Sequence, residues 1–299
     1  MTKLKRAVSC LLAAVMLLGM CMLVPAASAA ETANGLVYEE TSGEITITGY
    51  TGVGGEVEIP AEIAGKPVTE IAQQAFRVSK FPAALEITKI TIPDSVKTMG
   101  KGVFFGCSNL QEVVLPENVS IPSTASMFRD CTALQTITVP KNVTALNMYM
   151  FQNCESLETI SFPEGSLLVL IEILALKKTA ICEIDLPEDL ERIESQAFED
   201  CTNLTDITIH DKVTLIADNA FNNIPREQLT IHGIAGSYAN TFAITNGYAF
   251  EPIQQGGDLI TTYLQAKIDE AKGLDPALYT KESYANLLTA IAHAEQVLE

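Results

Sequence analysis

The sequence predicts a solenoid, with a parallel β-sheet on its concave face and short helices or irregular turns on its convex face, followed by a small α-helical hairpin. Three observations predict it. The stretch 187–209, PEDLERIESQAFEDCTNLTDITI, recurs in variants every 23 or 24 residues along most of the chain. Aligned on the Phe of its AF pair, the copies fall at Phe76, Phe104, Phe128, Phe151, Ala175 in a degenerate copy, Phe198 and Phe221. Prolines keep the same register at Pro93, Pro116, Pro140, Pro163 and Pro187, and His210 takes the next slot. One such unit cannot bury its own apolar face, so the copies must stack into a continuous core.

A fixed period in the twenties with a Leu-x-x-Ile-x-Ile core marks a leucine-rich-repeat solenoid. Here a Cys precedes the strand, as in Phe198-x-x-Cys201-x-x-Leu204-x-x-Ile207-x-Ile209. Cys107, Cys131 and Cys154 repeat that order. The pattern resembles the BspA-type leucine-rich repeats of bacterial surface and secreted proteins. The resemblance covers about 35–253 within a domain placed at 30–253. An N-terminal cap at about 35–60 opens it and a C-terminal cap at about 229–253 closes it.

Within each unit, alternate residues of the strand face outward on the concave side. The position between the last two aliphatics reads Thr91, Val114, Thr138, Ser161, Asp185, Thr208 and Thr230; the one before the pair reads Lys89, Glu112, Thr136, Thr159, Glu183, Asp206 and Gln228. Proline ends each strand because it cannot donate to a further ladder bond. β-branched Thr suits an exposed strand position without any ligand. Stacking also brings Glu183, Asp185 and Asp206 together, an array that could attract a cation or a basic peptide, although a solvated acidic edge is the favoured reading. The degenerate copy, SLLVLIEILAL at 166–176, puts Ala175 in the Phe slot and Lys178 in the Cys slot. It is expected to form a convex-side helix that plugs the gap left by the missing ring, or else an exposed self-association patch.

The ends differ from the middle. Lys3, Lys5 and Arg6, an apolar run over 7–24 and the small-residue site Ala27-Ser28-Ala29 read as a secretory signal peptide over 1–29, with a retained membrane anchor as the other reading. Removing it moves the net charge from −18 to −21. So acidic a surface argues against nucleic acid and bare membrane as partners. No second apolar span follows, so no transmembrane anchor is expected after cleavage. Beyond Ile253 the repeat stops, and 254–258, QQGGD, reads as a linker. Ile260, Leu264, Ile268 and Ala271 then share a helix face, and Thr280 caps a second helix whose apolar side is Tyr284, Leu287, Leu288, Ile291, Ala294 and Leu298. The segment 259–299 resembles the FIVAR module of extracellular bacterial proteins. That module normally continues into a third helix, whereas this chain ends at Glu299.

Catalytic chemistry finds little footing. The ladder cysteines are small, buried positions one strand spacing apart with parallel Cβ vectors, so free thiols are expected rather than disulfides. Cys182 alone sits at an outward position. No CxxC, HExxH, GxSxG or phosphate-loop sequence occurs, and His210, His232 and His293 have no motif partners. No catalytic, cofactor-binding or metal-ligating residues are expected. The expectation is a secreted or surface-associated, non-catalytic adhesion protein that binds a protein partner through Thr136, Thr138, Thr159, Ser161, Glu183, Asp185, Asp206 and Thr208. The alternative is a set of accessory modules in a longer extracellular enzyme whose catalytic domain lies beyond residue 299.

Overall fold

Each Leu-x-x-Ile-x-Ile unit forms a short strand that pairs in parallel with the same segment of its neighbour. Thr136, Ile137 and Thr138 lie opposite Thr159, Ile160 and Ser161, and Glu183, Ile184 and Asp185 lie opposite Asp206, Ile207 and Thr208. The central aliphatic of each strand is buried and its neighbours point outward, as a period of two requires. This computed structural model describes residues 29–122 and 126–253, and in the C-terminal segment 265, 268–269, 271–275 and 279–298. The expected signal peptide lies outside the described residues, Ala29 excepted, as does the linker.

The concave sheet has two pieces. The first runs through Gly55–Glu58, Ile87–Thr91, Glu112–Val114, Thr136–Thr138 and Thr159–Ser161. The second runs through Glu183–Asp185, Asp206–Ile209, Thr230–Gly233 and Ala249–Pro252. The return arms make their own parallel ladder from Ala145–Leu146, Leu170–Ile171, Arg192–Ile193 and Leu215–Ile216. Between the ladders lies one apolar core.

The AF slot builds a column of rings through that core. Centroids step by 5.7 Å from Tyr50 to Phe76, 5.5 Å to Phe104, 5.5 Å to Phe128 and 5.4 Å to Phe151. Phe198 and Phe221 resume it at 5.4 Å, and Phe242 and Tyr248 cap it. The 28-residue first gap is explained by an inserted 3₁₀ turn, Pro82–Glu86. Beside the rings, the thiols of Cys107, Cys131 and Cys154 each donate to the carbonyl of the Phe one copy earlier, all at 3.1 Å. All five described cysteines are free, as expected.

The degenerate copy corrects the sequence reading. Phe151 N donates to Ala175 O, and Leu176 N donates to Ala197 O. Cys201 Sγ donates to Leu176 O at 3.0 Å, as the other thiols do to a Phe carbonyl. Leu176, not Ala175, therefore fills the Phe slot, and buried Thr179, not Lys178, fills the Cys slot beside Cys201 at 3.2 Å. Lys178 instead takes the left-handed position before it, at φ 60°, where other copies place Gly106, Asp130, Asn153, Asp200 and Asn223. Nor is 166–176 a helix. It is a two-residue strand, Leu170–Ile171, followed by the same turns as its neighbours. Two residues are inserted after Pro163 and one is lost before Ile181, shifts that nearly cancel in the period.

The ends close the core. The antiparallel hairpin Leu36–Thr41 and Glu44–Tyr50 covers the first copy. At the other end Ser237 caps the helix Tyr238–Asn246, accepting from Asn240 N at 3.2 Å. That helix buries Ala239, Phe242 and Ala243. In the C-terminal segment a helix spans Lys281–Leu298, and Thr280 Oγ1 accepts from Ser283 N as the expected cap. Ile268 and Ile291 are buried, whereas Leu288, expected on the apolar side, is half exposed.

Candidate functional site

Six of the eight expected concave residues come together. Thr159, Ser161, Glu183, Asp185, Asp206 and Thr208 line an open groove of about 900 Å³ with Glu158, Phe162, Cys182, His232 and Ile253. Thr136 and Thr138 line a separate depression of about 580 Å³ with Glu112, Val113 and Pro116. The strands hold all eight expected side chains at positions set by the ladder register.

The carboxylates do not stand alone. His232 Nε2 lies 2.8 Å from Asp206 Oδ1, and its Nδ1 lies 3.7 Å from Glu251 Oε2. His210 Nε2 lies 3.2 Å from Asp185 Oδ1. Each histidine thus reaches back one repeat to an outward acid. Among the described residues, no group of three or more His, Cys, Asp or Glu side chains could hold a metal ion.

Sequence reasoning missed both pairings. His210 occupies the strand-ending proline slot, and a polar side chain there was a visible signal. His232 was hidden by a register error. The sequence reading placed Thr230 and Gln228 in the two outward columns of the last copy, but Thr230 lies opposite Asp206, and His232 opposite Thr208. Gly233 therefore takes the final aliphatic place opposite Ile209. A Cβ on Gly233 would sit 2.7 Å from the backbone oxygen of Ile209 in the neighbouring strand, so only glycine fits at this register position.

The hydrogen bond from His232, helped by Thr205, holds the Asp206 carboxyl below the usual carboxylate range. Its folded-state pKa thus lies below its unfolded value. The stability it contributes is present above the ordinary carboxylate range and is lost as pH falls through the lowered pKa. We expect His232→Ala to move the Asp206 titration midpoint upward, toward the ordinary carboxylate range. Carboxyl ¹³C NMR on both proteins checks this, and an unmoved midpoint would show that the imidazole is not the cause.

The model for the BspA type leucine rich repeat region matches residues 69–171 and 121–248, with six copies. No curated protein matches this chain. Among solved structures, a leucine rich cell surface protein from Faecalibacterium prausnitzii A2-165 is 20% identical, covering 68% of this chain and 76% of its own, with a TM-score of 0.40. The T. pallidum leucine rich repeat protein is 22% identical over 74% of this chain and 98% of its own, with a TM-score of 0.44. The pneumococcal vaccine antigen PcpA is 16% identical over 76% of this chain and 70% of its own, with a TM-score of 0.48. The family match spans more than half of the sequence and coincides with the ring and thiol columns, so this chain belongs to the BspA-type leucine-rich-repeat family.

Proposed function

We propose that this protein is a secreted or cell-surface binding protein that recognises a protein partner, without catalysis, on its concave sheet. The observation that carries the reading is the groove along Thr159, Ser161, Glu183, Asp185, Asp206 and Thr208, with the separate depression at Thr136 and Thr138 on the same concave sheet. Repeat solenoids present such extended concave surfaces to partners. The groove's acidic side chains are Glu158, Glu183, Asp185 and Asp206, and no Lys or Arg among the described residues lines it. A partner segment bearing Lys or Arg is the complementary chemistry. The leader-like residues 1–29 support export, and residues 259–299 act as a spacer or second adhesion module. Among the described residues, no helix is long and apolar enough to cross a membrane.

The test begins with capture from host-matrix and bacterial-envelope fractions. Binding of the recovered protein is then measured against the Glu183→Ser, Asp185→Ser, Asp206→Ser triple variant. Affinity should fall about tenfold, since charged pairs at an interface centre carry this much. The salt dependence should flatten as well, because exposed charges are screened beyond about 8–10 Å at physiological ionic strength. Unchanged affinity and salt dependence would move the site to the convex face or the helical segment.

A further inference from the structure

We propose that the solenoid is two rigid blocks joined by a hinge at the degenerate copy, and that the hinge sets the width of the concave groove. This rests on the groove being the recognition site only for its consequence, not for its existence. Three breaks coincide at one level of the stack. The concave sheet stops at Thr159–Ser161 and restarts at Glu183–Asp185, and no hydrogen-bonded pairing joins those strands. The ring column stops at Phe151 and restarts at Phe198, with Leu176 between them. The thiol column is broken by Thr179.

The opposite side is intact. The return-arm ladder runs unbroken from Ala145–Leu146 through Leu170–Ile171 to Arg192–Ile193. Phe151 N to Ala175 O and Asn153 N to Lys177 O bridge the same level at 2.8 and 2.9 Å. Lys178 reaches Glu155 at 2.9 Å. A stack bonded along one edge and unbonded along the other bends about the bonded edge. Motion is therefore directed into the concave side, where the groove lies between the two strands that do not pair. Small sliding within each block is resisted by ring packing, whereas aliphatic Leu176 presents no ring to its neighbours.

Spin labels test this in the full chain with Cys182→Ser as background. One pair, Glu58→Cys with Ser161→Cys, lies within the first block; the other, Thr138→Cys with Ala249→Cys, spans the joint. The spanning distance distribution should be at least about twice as broad as the internal one, as hinge motion between rigid bodies demands. Replacing 164–182 by residues 141–158 of the preceding copy restores the ring, the thiol and the spacing, and should narrow the spanning distribution to the internal width. Equal widths in the natural chain would overturn the hinge whether or not the repaired chain folds. A spanning distribution that stays broad in a folded repaired chain would overturn the hinge at the degenerate copy, whereas unchanged partner binding by the Glu183→Ser, Asp185→Ser, Asp206→Ser variant would move the recognition site and leave the hinge standing.

Discussion

Replacing Phe198 by Ala will destabilise the protein by about 3–5 kcal/mol, the range for emptying a fully buried aromatic site. The ring is completely inaccessible to solvent. It stacks on Phe221 at 5.4 Å, and the copy before it offers Leu176 in the ring slot, so no ring on that side is available to move in and fill the space. Tight neighbours on the turn backbone limit collapse: Phe198 N is bonded to Ala220 O at 2.9 Å, and Cys201 N to Phe198 O at 3.2 Å. Each unit is stabilised by its neighbours, so the loss spreads to the copies on either side. Urea melts read it as a lowered midpoint. A midpoint matching the parent would mean that the ring column does not carry the core.

Brief alkylation of the native protein will modify Cys182 at least about a thousandfold faster than the other four described thiols. Cys182 is exposed on the groove wall. Cys107, Cys131, Cys154 and Cys201 are buried, and each donates to a backbone carbonyl. Burial pushes the Cys107 thiol up to about 12, and it raises Cys131, Cys154 and Cys201 as well. Only about one in 10⁴ Cys107 side chains is then thiolate at pH 8, and the reagent must also wait for an opening of the core. Intact mass spectrometry should show one fast adduct among these five sites in buffer and five in denaturant. Several fast adducts in buffer would show that the thiol column breathes. Fewer than five in denaturant without reductant would reveal a disulfide.

Most of the repeat architecture was legible because several chemically different positions recur in phase. Phe, Cys, Leu and Pro each answer a separate demand: a ring for the column, a small donor for a buried carbonyl, an aliphatic for the strand, a stop after it. A wrong register must break all four at once, and from Phe104 to Phe151 it cannot. The outward columns followed directly, since a period of two leaves no choice of face once the inward residues are known. Thr136, Thr138, Thr159, Ser161, Glu183, Asp185, Asp206 and Thr208 all stand where that argument puts them.

Where the chain is uniformly apolar or the motif is lost, the sequence by itself determined less. In ILALKKTAIC, at 173–182, Ala175 and Leu176 are both apolar, and an insertion and a deletion nearly cancel, so the period pointed one residue away. Only the backbone bonds of neighbouring copies decide that Leu176 fills the ring slot, because each slot is defined by a carbonyl one repeat away. The same holds for the last copy, where Gly233 stands in an aliphatic position because the Ile209 carbonyl of the neighbouring strand leaves no room for a Cβ. The pairing of His210 with Asp185 and of His232 with Asp206 spans 25 and 26 residues. Such contacts arise from stacking, which brings side chains together by turn of the solenoid rather than by place in the chain.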